Sequence, residues 1–274
     1  MRVACVQMRS GVRIADNMET VDALVRQAAE QGAKYVQTPE MTGILQKSRR
    51  KLFEEISPEE EDPLVKLAGE LAAELGIFLH IGSHAIRLSD EKAANRCFVF
   101  DPSGKLIQRY DKIHMFDVDL DNGESWRESK VYLPGEASHT ISVDGCKVGL
   151  AICYDVRFPH LFREQALTGA QVLTCPAAFT RQTGRAHWHT LLKARAIENG
   201  AYMIAAAQGG DHEDGRETYG HSLIINPWGE IIAENNSEDP GVIVADIEPE
   251  QSRIARQKIP NLANSRSFVF ESAG

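Results

Sequence analysis

Glu40, Lys112 and Cys153 are the side chains that together make a nucleophilic site. A thiol attacks a carbonyl or nitrile carbon once a neighbouring base takes its proton. A carboxylate in a desolvated pocket does this when burial raises its pKa. The oxyanion that forms needs positive partners, which a lysine ammonium and the backbone N–H of Tyr154, next after the cysteine, supply. All three side chains stand where strand-like runs stop. Glu40 follows Pro39 at the end of residues 34–38, Lys112 follows Tyr110-Asp111, and Cys153 closes the apolar run from Val148. Singly, each has an ordinary alternative: most free cysteines are small core residues, and most Glu and Lys are solvated charges. The conjunction is more specific, because α/β folds place their sites at strand ends along one sheet edge.

The cysteine sits on an elbow. Val148, Leu150 and Ile152 supply one apolar face, while Gly149 and Ala151 leave room on the other. Beyond Cys153 the composition turns polar, and Pro159 suits the first turn of a helix. Backbone N–H groups converge at such a strand-to-helix turn, which favours thiolate and oxyanion alike.

The rest of the chain must position these groups. A strand is expected over residues 3–8, then a helix capped by Asp16 or Asn17 and ending before Gly32. Residues 34–38 form the next strand, and a helix runs from about Pro63 to Leu75, closed by Gly76. Strands over 77–86 and 96–100 follow, and the turn Asp101-Pro102-Ser103-Gly104 leads into 105–110. Residues 112–136 read as polar loop. A hairpin about Asp144-Gly145 has 147–153 as its second strand. A helix over 159–168 and a strand over 171–175 come next, then a helix beginning after Gly184 and reaching about Glu198. Strands over 202–208 and 222–225 flank an acidic loop, 211–217, and strands over 230–233 and 242–246 precede a short helix opened by Pro249. No linker composition or fixed-period repeat interrupts the chain, so one domain over residues 1–274 is expected. So many buried strands imply two stacked sheets with helices outside, an α/β (α+β) architecture.

Composition narrows the function. A net charge of −9 argues against a general nucleic-acid or anionic-membrane surface. The five cysteines are scattered, with no C-x-x-C pair, which is cytoplasmic usage. No stretch is long and apolar enough to suggest a membrane span. Asp117, Asp119, Asp121 and Asn122 resemble a calcium loop, but with Glu128 twelfth from Asp117 the glycine falls seventh instead of sixth. His187 and His189 resemble a metal pair, yet two positions on a helix point about 200° apart. His114, His187, His189 and His221 are the histidines that could partner the cysteine, and none carries a cysteine-protease signature.

The sequence resembles the nitrilase, or carbon–nitrogen hydrolase, superfamily nearly end to end. The pieces that carry the resemblance are Pro39-Glu40, Tyr110-Asp111-Lys112-Ile113-His114, Glu128-Ser129 before Pro134-Gly135, and the elbow from Gly149 to Pro159. Gly184-Arg185-Ala186-His187-Trp188-His189, Arg195-Ala196-Ile197-Glu198-Asn199, Tyr219-Gly220-His221-Ser222 and Asn226-Pro227-Trp228-Gly229 complete the set. The resemblance implies a four-layer αββα sandwich and a Glu-Lys-Cys triad at Glu40, Lys112 and Cys153. It also implies a second pocket glutamate at Glu128, no metal or organic cofactor, and a homodimer paired through helices beside the site. His189 departs from the family pattern, in which a glutamate follows the His-Trp pair.

Phe179-Thr180, with the stretches 184–188 and 195–199, resembles the branch containing deaminated glutathione amidases and ω-amidases. That branch implies that Arg157, four residues after the cysteine, holds a substrate carboxylate, with Phe179 and Thr180 beside it. The expected activity is hydrolysis of a non-peptide amide C–N bond in a small carboxylate-bearing molecule, releasing ammonia through a Cys153 thioester. Ala205-Ala206-Ala207-Gln208 and Asn226-Pro227-Trp228-Gly229 lean towards deaminated glutathione amidase, and Glu128-Ser129-Lys130 towards ω-amidase. N-carbamoyl amino acid amidohydrolases and nitrilases share the same triad. From other classes, a catalytically silent binding module and a redox cysteine protein are the alternatives.

Overall fold

The computed structural model describes residues 1–272 apart from 121, 122 and 124. The first half holds β1 (Arg2–Gln7), α1 (Ile14–Glu30), β2 (Tyr35–Gln37), α2 (Arg49–Glu55), α3 (Pro63–Leu75), β3 (Phe78–Arg87), β4 (Ala93–Phe100) and β5 (Leu106–Asp111). A connecting stretch carries the hairpin β6 (Asp117–Asp119) and β7 (Ser125–Arg127), then β8 (Tyr132–Leu133). The second half runs β9 (Thr140–Val143), β10 (Cys146–Gly149), α4 (Pro159–Leu167), β11 (Val172–Thr174), α5 (Arg181–Asn199) and β12 (Tyr202–Ala205). It finishes with hairpin β13 (Gly209–Asp211) and β14 (Glu217–Tyr219), then β15 (Leu223–Ile225), β16 (Ile231–Glu234), β17 (Gly241–Asp246) and α6 (Glu250–Lys258).

Two sheets result. One has the order β17-β1-β2-β3-β4-β5, with β8 beside β4, and the other β16-β15-β12-β11-β10-β9. In each, three parallel strands joined through helices are followed by two antiparallel ones: β1, β2, β3 then β4, β5, and β10, β11, β12 then β15, β16. The halves therefore repeat in topology without a repeat in sequence. Side chains alternate across β1 with the period of a strand. Val3 and Cys5 point between the sheets towards Val148, Val172 and Met203, whereas Ala4 and Val6 meet Val21 and Val25 of α1 and Leu64 and Leu71 of α3. Phe162 of α4 and Trp188 and Leu192 of α5 cover the second sheet. The layers are helix, sheet, sheet, helix, as the resemblance implied.

Local chemistry explains most element ends. Asp62 accepts from the N–H groups of Leu64 and Val65, Pro63 opens α3, and Gly76 closes it with φ +62. α1 departs from expectation: it starts at Ile14 with no side-chain cap. Asn17 is used otherwise, accepting from Gly11 N–H at 2.7 Å and donating to the Gly43 carbonyl at 2.7 Å. α5 begins before Gly184, at Arg181, with Thr180 as cap. Gly184 lies inside the helix because a Cβ there would stand 2.3 Å from Tyr219 Cβ.

The residues expected as loop over 112–136 hold the β6–β7 hairpin, and the acidic stretch 211–217 is itself a hairpin turn with strands on either side. Asp117 accepts from the Ser129 hydroxyl and Asp119 from Arg127, so both carboxylates have structural partners; Asp121 and Asn122 lie outside the described residues. Among the described residues no helix is long and apolar enough to cross a membrane.

Candidate active site

The strands bring four chain segments together. Glu40 lies in the turn after β2, Lys112 directly follows β5, Glu128 follows β7, and Cys153 heads a 3-10 turn over residues 153–157. Lys112 Nζ donates to Glu40 Oε1 at 2.8 Å and to Glu128 Oε1 and Oε2 at 3.1 and 2.9 Å. The Cys153 thiol lies beside Glu40, close enough for each to shift the other's protonation. Glu40 Oε2 also accepts from the Ala178 N–H at 2.9 Å, and Glu128 Oε2 from the Phe116 N–H at 2.7 Å. Glu40, Lys112 and Cys153 are only 4%, 2% and 7% exposed, so every charge in the cluster depends on its partners.

The electrostatics differ from the sequence expectation. Burial alone pushes the Glu40 carboxyl up, but the Lys112 charge, the neighbouring Cys153 thiol and hydrogen bonds from Lys112 and Asn95 outweigh it. Glu40 therefore ends below the ordinary glutamate value, not above it. Burial pushes the Cys153 thiol well up, and the Glu40 charge adds to this while Lys112 opposes it. Burial disfavours the Lys112 ammonium, yet Glu128 and Glu40 hold it well above its usual range. The resting pair is thus a thiol beside a carboxylate. The thiolate expected from the elbow alone is not the resting form, because Glu40 places a negative charge where the thiolate would develop.

Strand β10 stops at Gly149, four residues short of the cysteine. Residues 150–152 run on outside the strand, Leu150 N–H donating to the His139 carbonyl at 3.1 Å, until Cys153 adopts φ +49, a strained conformation for a non-glycine residue. The buried Asp155 carboxylate ties this turn down. It accepts from Ile152 N–H at 2.8 Å, His114 N–H at 3.1 Å and Tyr110 OH at 2.7 Å, and pairs with His114 Nδ1 at 2.6 Å. The Cys153 N–H is spent on the Pro176 carbonyl at 2.9 Å. The Tyr154 N–H has no acceptor among the described residues.

Above the cluster opens a cavity of about 410 Å³, lined by Glu40, Lys112, Glu128, Cys153, Tyr154, Arg157, Phe179 and Thr180 among others. All eight residues singled out from the sequence thus meet in one place. Arg157 makes no ion pair with Asp155 or Glu164. Its guanidinium lies 5.8 Å from the Tyr154 ring centre and 5.4 Å from that of Phe179, and its terminal nitrogens stand 3.3 Å from His187 Nδ1. Phe179 packs on Trp188 with ring centres 4.9 Å apart. His189 points elsewhere, to Glu234 Oε1 at 2.7 Å, so the two histidines take separate partners as their spacing requires. Among the described residues no group of histidine, cysteine and acidic side chains is arranged to hold a metal.

Sequence reasoning missed Asn95. Its Nδ2 donates to Glu40 Oε1 at 2.9 Å and Glu128 Oε1 at 3.0 Å, bridging the two carboxylates. One signal was available: Asn95 shares a face of β4 with inward-pointing Cys97 and Val99, where a lone amide needs a polar partner. Asp155 was also missed, and Trp126 and Arg216 are further residues of the cavity lining.

With the geometry in hand, comparison with known proteins is decisive. A carbon–nitrogen hydrolase family model matches residues 2–257. The chain belongs to the carbon–nitrogen hydrolase family. It is 38% identical over 270 residues to a deaminated glutathione amidase of Synechocystis, covering 97% of this chain and 98% of that one. It is 35% identical over 269 residues to the human omega-amidase NIT2, covering 98% and 96%. Among solved structures, the C. elegans NitFhit protein matches with TM-score 0.88 and 31% identity over 97% of this chain, which spans 65% of that longer chain. As a carbon–nitrogen hydrolase the protein carries the αββα sandwich of the nitrilase superfamily.

Proposed function

We propose that this carbon–nitrogen hydrolase cleaves a non-peptide amide bond in small carboxylate-bearing molecules, with Cys153 as nucleophile. The observation that carries the reading is the meeting of buried Cys153, Glu40 and Lys112 in one cavity, with Glu40 2.8 Å from Lys112. Glu40 takes the thiol proton as sulfur attacks the amide carbonyl. Lys112 and the Tyr154 N–H then stabilise the oxyanion. As the C–N bond breaks, Glu40 passes that proton to the leaving nitrogen and a thioester remains. Water attacks the thioester with Glu40 again as base, the C–S bond breaks, and the thiol is restored. Lys112 keeps Glu40 ionised in the resting state, so the base is ready before substrate arrives. Glu128, held by Lys112, Asn95 and the Phe116 N–H, orients the leaving group or the water.

Arg157 is the residue we assign to the substrate carboxylate. It faces the cavity without a carboxylate partner of its own, and a guanidinium clamps a carboxylate with two hydrogen bonds. Phe179 and Thr180 wall the same side. Both named relatives bear on the substrate, and a deaminated-glutathione-like amide is our first choice, with ω-amides second. The buried, unpaired cysteines suit a reducing cytoplasm. The partly exposed α5 face and the exposed Phe268, Val269 and Phe270 suit association of two copies, which sedimentation measures directly.

The test is turnover across deaminated glutathione, α-ketoglutaramate, succinamate, N-carbamoyl amino acids and simple nitriles, with Cys153→Ala alongside. Both the acid and the nitrogen product are followed, because an ammonia assay misses substituted amines. Turnover of carboxylate-bearing amides that vanishes in Cys153→Ala is expected. A silent panel, or a fully active variant, sinks the reading.

A further inference from the structure

Arg157 is held differently from Arg96, Arg127 and Arg181, whose heads meet carboxylates at Asp111, Asp119 and Glu238. Its own head meets an imidazole: Nη1 and Nη2 both stand 3.3 Å from His187 Nδ1. A guanidinium can only donate, so the histidine nitrogen accepts and the ring hydrogen lies on Nε2. Equal distances put Nδ1 between the two terminal nitrogens, at the end of the guanidinium fork. The Arg157 Nε–H and the outer terminal N–H groups then meet no acceptor among the described residues. Nε–H with its neighbouring outer N–H makes a side-on fork that matches a carboxylate, and Arg157 lines the cavity that holds Cys153.

The neighbouring rings do not set this orientation. Tyr154 and Phe179 attract the charge from 5.8 and 5.4 Å, but such attraction depends on where the cation lies and little on how it is turned. A hydrogen bond does depend on the turn. His187 is itself fixed through the next residue of α5. Trp188 is 1% exposed, donates its Nε1–H to the His221 carbonyl at 2.8 Å and backs Phe179. One turn of α5 therefore carries both the wall behind Phe179 and the acceptor for the guanidinium. A neutral imidazole also leaves the Arg157 charge uncancelled, which an acidic side chain in the same place would not. We propose that His187 is a positioning residue for substrate selection, holding the end of the Arg157 fork so that the Nε edge grips the substrate carboxylate. This rests on the amidase reading and on the carboxylate role of Arg157.

Steady-state kcat and KM for deaminated glutathione and succinamate test this, with butyramide as a neutral amide. The variants are His187→Leu, His187→Asn, His187→Asp and Arg157→Met. His187 is exposed on α5, so the leucine variant folds. It is expected to raise KM for both carboxylate substrates about three- to tenfold, the value of lost pre-organisation, with kcat and butyramide little changed. Asparagine, which keeps an acceptor near the Nδ1 position, restores most of the KM. Aspartate, which cancels the Arg157 charge, raises KM beyond leucine. Because His187 acts through Arg157, adding His187→Leu to Arg157→Met costs nothing further. An unchanged or lowered KM in His187→Leu, or losses that add in the double variant, overturns the inference while the Arg157 assignment stands. A KM indifferent to Arg157→Met removes that assignment and this inference but leaves the amidase reading. No turnover of either carboxylate substrate removes all three.

Discussion

Lys112 Nζ donates to Glu40 Oε1 at 2.8 Å, with both side chains almost wholly shut away from water. On its far side Lys112 meets Glu128. One ammonium therefore holds two buried carboxylates, and removing it leaves them facing each other uncompensated. Lys112→Met is expected to cost about 3–5 kcal/mol of stability and to lower kcat/KM by roughly 10²–10³, as for a lost oxyanion donor. Thermal unfolding and steady-state kinetics check both. A variant that melts like the wild type would mean the carboxylates do not depend on Lys112.

The depressed Glu40 carboxyl sets the pH behaviour. A group whose folded pKa lies below its unfolded value adds stability above the unfolded value, about 4.3 for glutamate, and loses it as pH falls through the folded pKa. The Glu40 contribution is therefore full at neutral pH and disappears in acid. The acid limb of kcat/KM should lie below the ordinary glutamate range, and Glu40→Gln should abolish turnover while the protein stays folded. With the Cys153 thiol raised, alkylation by a neutral reagent should accelerate only at alkaline pH. An acid limb near neutrality would contradict the resting thiol–carboxylate pair.

Asn95→Ala removes one donor from both glutamates. Hydrogen bonds to charged groups are worth about 1.5–3 kcal/mol, so kcat should fall about tenfold or more with a smaller change in KM. Asn95→Asp, which sets a third carboxylate against the pair, should be worse than alanine. Equal kinetics for the two would show that the amide does not position them.

Arg157→Met should reduce kcat/KM for carboxylate-bearing amides by roughly 10- to 100-fold, the value of a charge-assisted pair. Loss on neutral amides of the same length should be much smaller. Parallel losses on both would indicate that Arg157 supports Tyr154 and Phe179 instead of substrate.

The positive φ of Cys153 is stored strain. Cys153→Gly should therefore be more stable than Cys153→Ala by about 1 kcal/mol, with both inactive. Chemical denaturation of the two proteins decides, and equal midpoints would remove strain from the account.

Legibility followed sequence distance. The bounds of α3, from about Pro63 to Leu75 with its stop at Gly76, are written within a few residues and are legible in the sequence, whereas the Asp62 cap emerged only in the structure. The strand leading to Cys153 was read four residues too long, because apolar alternation persists through Leu150 and Ile152 after pairing has ended. Gly184 is expected just before α5, yet it lies within it as a packing site under Tyr219, a neighbour 35 positions away in sequence.

The sequence by itself singled out Glu40, Lys112 and Cys153, which end strand-like runs inside a full-length family pattern. Only the tertiary structure decided how they are charged. Lys112 and Asn95 come to Glu40 from other parts of the chain, and the ammonium charge and the hydrogen bonds of the two lower the carboxyl that burial alone would raise. Periodicity reports which way a side chain faces, whereas a pKa depends on distances to groups brought from everywhere in the chain.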